Sequence, residues 1–140
     1  ENIYDSGRAL ILGVSNVTRE QLQSLCENAR IRPRFVQNRC YASQGWDYKI
    51  RSFCNANEII YQGFSLLTAN RNLLDHPELK RIAHRCNMDV SQIIFRFALD
   101  IGIMPITGTS NIKHMQTDLD IFDFRLNVED IEVIEAIGKH

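Results

Sequence analysis

The chain has 140 residues, 44% of them hydrophobic, which supports one domain with a real core. A closed (β/α) barrel typically takes ~250 residues, so this length does not build one by itself. A formal net charge of −1 with scattered basic residues excludes a nucleic-acid surface, and no signal peptide or apolar run near ~18 residues offers a membrane span.

The chain starts without Met, and residues 1–5 read as a helix end closed by Ser6-Gly7, the expectation for a piece of something longer. Residues 9–14 form a continuous apolar run of strand length, as in a parallel strand buried on both faces. Thr18-Arg19-Glu20-Gln21 has the form of a capping box, and Leu22, Leu25, Cys26 and Ala29 follow at helical spacing. Arg30, Arg32 and Arg34 around Pro33 read as a solvated loop. Residues 35–38 are a second strand with a polar end. Residues 47–53 read as a helix with Ile50 and Phe53 as its apolar pair, and residues 58–62 as the third strand.

Residues 67–74 are a loop. Asp75-His76-Pro77 starts a helix carrying Leu79, Ile82, Ala83 and Cys86, with His76 in a capping role. Ser91 opens another, with Ile94, Phe97, Ala98 and Ile101 along its apolar stripe. Gly102 ends it, residues 103–106 form the fourth strand, and residues 111–119 and 128–137 read as two final helices.

Strand and helix alternate four times with no hairpin signal, which implies a parallel sheet with right-handed crossovers. The expected fold is α/β: a parallel (β/α) barrel of TIM type in about four βα units, a half barrel, plus a C-terminal helix. Residues 1–140 form a single domain. Its open edges are expected at residues 10–14 and 103–106, both strongly apolar, so a complementary barrel half or a homodimer is the expected partner. Cys26, Cys40, Cys54 and Cys86 match no CxxC or zinc spacing, and reduced thiols point to a cytoplasmic setting with no metal site.

Polar side chains gather at the carboxyl ends of the strands, where (β/α) barrels bind ligands: Ser15, Asn16, Gln37, Asn38, Ser65, Thr107, Thr109 and Ser110. Amides and hydroxyls without charge suit a neutral amide-bearing ring and sugar or phosphate oxygens better than a metal. Gly108, between two threonines, lets backbone N–H groups approach an anion at the start of the next helix. Phe64 either stacks on a planar ring or packs in the core. Trp46 and Tyr48 either line an apolar pocket or pack on a helix face. His84 reads as a surface residue, His114 as a phosphate neighbour or a surface residue, and His140 is terminal. No Asp, Tyr, Lys and His set stands at the strand ends, so no complete proton-transfer apparatus is visible.

Five stretches together resemble the second half of an aldo-keto reductase. They are Gly13-Val14-Ser15-Asn16, Val36-Gln37-Asn38-Arg39, Tyr61-Gln62-Gly63-Phe64-Ser65-Leu66-Leu67-Thr68-Ala69-Asn70, Pro105-Ile106-Thr107-Gly108-Thr109-Ser110 and Asp120-Ile121-Phe122-Asp123-Phe124. The resemblance covers nearly the whole chain in order and spacing. It implies a TIM-type barrel that reduces a small carbonyl substrate to an alcohol with NADPH or NADH.

It further implies that Ser15, Asn16 and Gln37 hydrogen-bond the nicotinamide carboxamide while Phe64 stacks on the ring. Ser65 and Leu67 would touch the pyrophosphate. Thr107, Gly108 and Thr109 would grip the adenosine phosphate, with His114 and Asp118 on the adenosine side. Many members hold a 2′-phosphate with a Lys in that loop and an Arg on the following helix. Here Thr107-Gly108 and His114 stand there, which implies weaker discrimination between the two nucleotides, with Lys113 a partial substitute. The family's catalytic Asp, Tyr, Lys and His belong to the first half of the barrel, so no catalytic residue is assigned and the chain is not expected to turn over alone. The alternative is a non-catalytic half barrel that acts through association and keeps a vestigial nucleotide site.

Overall fold

The computed structural model describes residues 1–137, and His140 lies outside the described residues. Four parallel strands, β1 (Gly13–Ser15), β2 (Phe35–Arg39), β3 (Ile60–Phe64) and β4 (Met104–Ile106), pair in chain order. A single-turn helix α1 (Asn2–Asp5) precedes them. The crossovers are α2 (Arg19–Asn28), α3 (Tyr48–Ala56) and the pair α4 (Pro77–Cys86) and α5 (Val90–Asp100). Helices α6 (Ile112–Leu119) and α7 (Val128–Ile137) follow β4. This is the expected half barrel of βα units with a C-terminal helix, and β1 and β4 are its open edges. None of the described helices is long and apolar enough to cross a membrane.

The strands alternate sharply between two environments. Val36, Asn38 and Tyr61 point to the helix side and are buried there with Leu22, Cys26, Cys54, Ile82, Ile94 and Phe97. Their neighbours Ser15, Phe35, Gln37, Ile60, Gln62, Phe64, Met104 and Ile106 occupy the opposite face, half-buried or exposed. The core therefore lies between sheet and helices, and no described element forms a layer over the other face. Trp46 belongs to the core rather than to a pocket: fully buried, it meets Phe97 edge-to-face at 5.0 Å and donates from Nε1 to the Ile134 carbonyl at 3.4 Å. Tyr48 is exposed.

Several boundaries differ from expectation. Of the apolar run at residues 9–14, only Gly13 and Val14 enter β1, while Leu10 and Ile11 are 87% and 54% exposed. They precede an edge strand and no described element covers them. The third strand begins two residues late because Glu58, at φ 56°, is still turning out of α3. Ile103 is buried ahead of β4 rather than inside it. The loop at residues 67–74 contains a 3₁₀ turn, Arg71–Leu73, and a second, unexpected one spans Ala42–Gln44. The capping box at Thr18 and the His76 cap form as expected: Gln21 N–H donates to Thr18 Oγ1 at 3.2 Å, and Glu78 N–H to His76 Nδ1 at 3.3 Å.

Candidate functional site

Register alone aligns Ser15, Gln37, Gln62 and Met104 in one row across the uncovered face. Hydrogen bonds join the row. Ser15 Oγ donates to the Gln37 carbonyl at 2.8 Å, Gln37 Nε2 donates to Gln62 Oε1 at 3.1 Å, and Gln62 Nε2 reaches Met104 Sδ at 3.5 Å. One step nearer the carboxyl ends, Arg39, Phe64 and Ile106 form the next row. Gln62 was not singled out in the sequence. Its signal is the two-residue period that places it between Ile60 and Phe64 on that face.

Where β1 and β3 end, the backbone turns through left-handed conformations at non-glycine residues: Asn16 at φ 53° and Ser65 at φ 58°. Such corners recur at binding sites because the surrounding structure must hold them. Asn16 N–H donates to the Gln37 carbonyl at 3.0 Å, while its exposed side chain makes no hydrogen bond with any described residue. Ser65 and Leu67 are half-buried in the loop after Phe64. Asn70, which is buried, holds that loop to the end of β2 by donating to the Cys40 and Leu66 carbonyls at 3.0 and 2.8 Å and accepting from Ala42 N–H at 2.8 Å. No local pattern marks that role.

Asn38 leaves the strand-end set. Successive strand residues face opposite ways, so beside Gln37 it must point to the helices. There it exchanges two hydrogen bonds with the Val17 backbone, 3.1 and 2.9 Å, and donates to Asp47 Oδ2 at 3.2 Å. Tyr61 O–H donates to the same Asp47 oxygen at 2.6 Å. Burial, with Cys40 and Asp47 beside it, pushes the Tyr61 hydroxyl far above its ordinary value. This Tyr–Asp pair is a structural clasp behind the sheet, facing away from the row.

The loop after β4 is partly occupied by its own bonds. Thr107 Oγ1 donates to Asp118 Oδ2 at 3.1 Å, bringing two predicted residues together. Thr109 Oγ1 accepts from Asn111 N–H at 3.1 Å, and Asn111 caps α6. A Cβ on Gly108 would meet nothing within 4 Å, so its backbone faces open space. His114 is exposed and hydrogen-bonded to no described residue. From the core side, Gln92 Nε2 donates to the Thr117 carbonyl at 3.1 Å and Arg96 Nη1 to the Ile121 carbonyl at 3.2 Å, which fixes α6 and its loop.

Chemically, the row and the turn beside it offer the Ser15 hydroxyl oxygen as acceptor and the Gln37 and Asn16 amides as donors and acceptors. An aromatic face stands one step away. A primary carboxamide on a flat ring matches that set in both hydrogen-bonding senses.

The sequence matches the Aldo/keto reductase family over residues 1–139. The chain belongs to this family. It is 31% identical over 139 residues to a glyoxal reductase of Bacillus subtilis (strain 168), covering 99% of this chain and 50% of that protein. Among solved structures, an aldo/keto reductase from Brucella melitensis superposes with a TM-score of 0.86 at 28% identity, over 97% of this chain and 51% of that one. A Bombyx mori aldo-keto reductase solved in complex with NADP gives 0.87 at 24% identity, over 99% and 48%. The chain spans about half the length of the curated relatives it matches, consistent with the C-terminal half of an aldo-keto reductase barrel.

Proposed function

We propose that this chain forms the nucleotide-holding half of an aldo-keto reductase that converts a small carbonyl compound to its alcohol with NADPH or NADH. The observation that carries this reading is the hydrogen-bonded row Ser15–Gln37–Gln62 with Phe64 one step beyond it on the same face. When bound, the nucleotide supplies a hydride to the carbonyl carbon. Ser15, Asn16 and Gln37 would hold the carboxamide, and the Phe64 ring would lie against the nicotinamide. Ser65 and Leu67 would meet the pyrophosphate, and Thr107, Gly108, Thr109, His114 and Asp118 the adenosine end. The loop at Thr107 to Thr109 carries no cation, which suits acceptance of either nucleotide.

The alkoxide formed on reduction needs a proton, and Tyr61, Asp47 and Asn38 face the wrong way to give it. On this reading the donor comes from a complementary barrel half, where the resemblance implies the family's catalytic Asp, Tyr, Lys and His. Such a half would cover the open face and both sheet edges, and a second copy of the chain is the other candidate. In a cytoplasmic setting the four free thiols would stay reduced. The exposed Ile60, Met104 and Ile106 on the open face also support a non-catalytic reading, in which association is the function.

Calorimetric titration with NADPH and NADH separates the two. Saturable binding of both, abolished or strongly weakened by Gln37→Ala, is expected. Absence of binding at millimolar nucleotide would leave association alone.

A further inference from the structure

A groove of about 700 Å³ opens between the start of α2 and the start of α3, meeting the strand-end site at Asn16. Neither Ser15, Gln37, Phe64 nor the loop from Thr107 to Thr109 lines it, so most of it lies outside the surface assigned to the nucleotide. Its walls carry three basic side chains, Arg19, Arg39 and Lys49, together with Tyr41 and Tyr48.

Two of these cations are already oriented. The Arg19 guanidinium sits 3.9 Å from the centre of the Phe53 ring and donates to Gln23 Oε1 at 2.7 Å, and the Arg39 guanidinium lies 5.5 Å over the Tyr41 ring. Arg39 and Lys49 are exposed, and neither forms an ion pair with a described carboxylate. The groove also holds two carboxylates, Glu20 and Asp47. Asp47 Oδ2 is taken up by the Tyr61 hydroxyl and the Asn38 amide behind the sheet. Glu20 sits in the first turn of α2, where its own backbone N–H and then the Thr18 hydroxyl hold its carboxyl below the ordinary value, with the Arg19 and Lys49 charges adding to the effect. Three positive charges thus stand against two negative ones in the groove, and Arg39 and Lys49 have no ion-pair partner among the described residues.

We propose that this groove binds a small molecule through an oxyanion, a carboxylate or a phosphate, with Arg39 and Lys49 as its charged contacts and Arg19 as a fixed cation beside them. A guanidinium held over an aromatic ring keeps its donor edge free for bidentate contact with either group. A concave wall also concentrates the field of neighbouring cations. Arg39 shares its row with Phe64, so an anion anchored there would lie at the rim of the open face.

The test is an NMR titration of the protein, following amide and arginine side-chain N–H signals, with inorganic phosphate and separately with succinate. Ionic strength is held constant with chloride. Saturable shifts centred on Asn16, Arg39, Tyr48 and Lys49 are expected. Affinity should fall at least tenfold in R39Q/K49Q and about two- to threefold in K49Q alone, an exposed change that leaves the core untouched. The stronger of the two probes identifies which oxyanion the groove prefers. Shifts that follow chloride, that spread evenly over the other surface cations, or that survive R39Q/K49Q unchanged would overturn the proposal. NADPH titration of the unsubstituted protein reports on the reductase reading separately, so either can fail without the other.

Discussion

In the proposed site Phe64 and Gln37 would act through different chemistry, one by surface contact and one by directed hydrogen bonds, and their substitutions should differ accordingly. Stacking contributes about 0.5–1.5 kcal/mol beyond area, so Phe64→Ala should weaken NADPH binding by roughly three- to tenfold or more. Phe64→Tyr should restore it, and an alanine variant that binds normally would remove Phe64 from the site. The thiols give a second prediction at this scale. Burial pushes Cys40 and Cys54 up from the ordinary 9.0 to about 12, with Asp47 adding to the first and Cys26 to the second. At pH 8 iodoacetamide should label the half-buried Cys86 well before either of them, as peptide mass spectrometry would show. Because the folded values are raised, the stabilising contribution is complete below about pH 9 and is lost as pH climbs through about 12: the unfolded chain releases protons there that the folded one keeps. Urea midpoints should therefore decline from pH 8 to pH 10.5.

Among the elements, the β3–β4 seam and the start of α2 test two different kinds of support. A Cβ on Gly63 would stand 2.7 Å from Ile103 Cγ2 and 3.4 Å from Cys40 Cβ, so Gly63→Ala forces the seam apart and should cost about 1–3 kcal/mol by overpacking. Thr18→Ala removes half of a capping box on an exposed helix start and should cost about 1 kcal/mol without moving the sheet. Denaturant unfolding measures both. Nucleotide affinity should fall only for Gly63→Ala, whose neighbour Phe64 begins the proposed site. Equal effects on affinity would mean that α2 positions the rim as much as the seam does.

For the whole molecule, the governing fact is a sheet covered on one side. Leu10, Ile11, Ile60, Met104 and Ile106 meet solvent on an open face or beside an open edge, and Ile112, Met115 and Leu119 do so on α6. Surface of this kind favours association. Native mass spectrometry should find the chain paired with a complementary barrel half or with itself. A monodisperse 16.2 kDa species at micromolar concentration would contradict that expectation.

Much of this protein is legible in its sequence by itself. Helical spacing, the Thr18 capping box and the His76-Pro77 start place the helices, and four apolar runs with no hairpin signal dictate parallel strands. The order of the motifs carries the family. Those properties depend on neighbours along the chain, and local sterics and hydrogen bonding settle them. What needed the tertiary structure is which way each strand residue faces and what lies opposite it. Gln37 and Asn38 read alike in sequence, yet register puts one in the row on the open face and the other in a clasp on Val17. Leu10 and Ile11 read as buried strand yet stand exposed, because burial depends on a covering layer. The pairing of Tyr61 with Asp47, and the gathering of Arg19, Arg39 and Lys49 in one groove, join residues distant in the chain. Only packing in three dimensions brings such groups together.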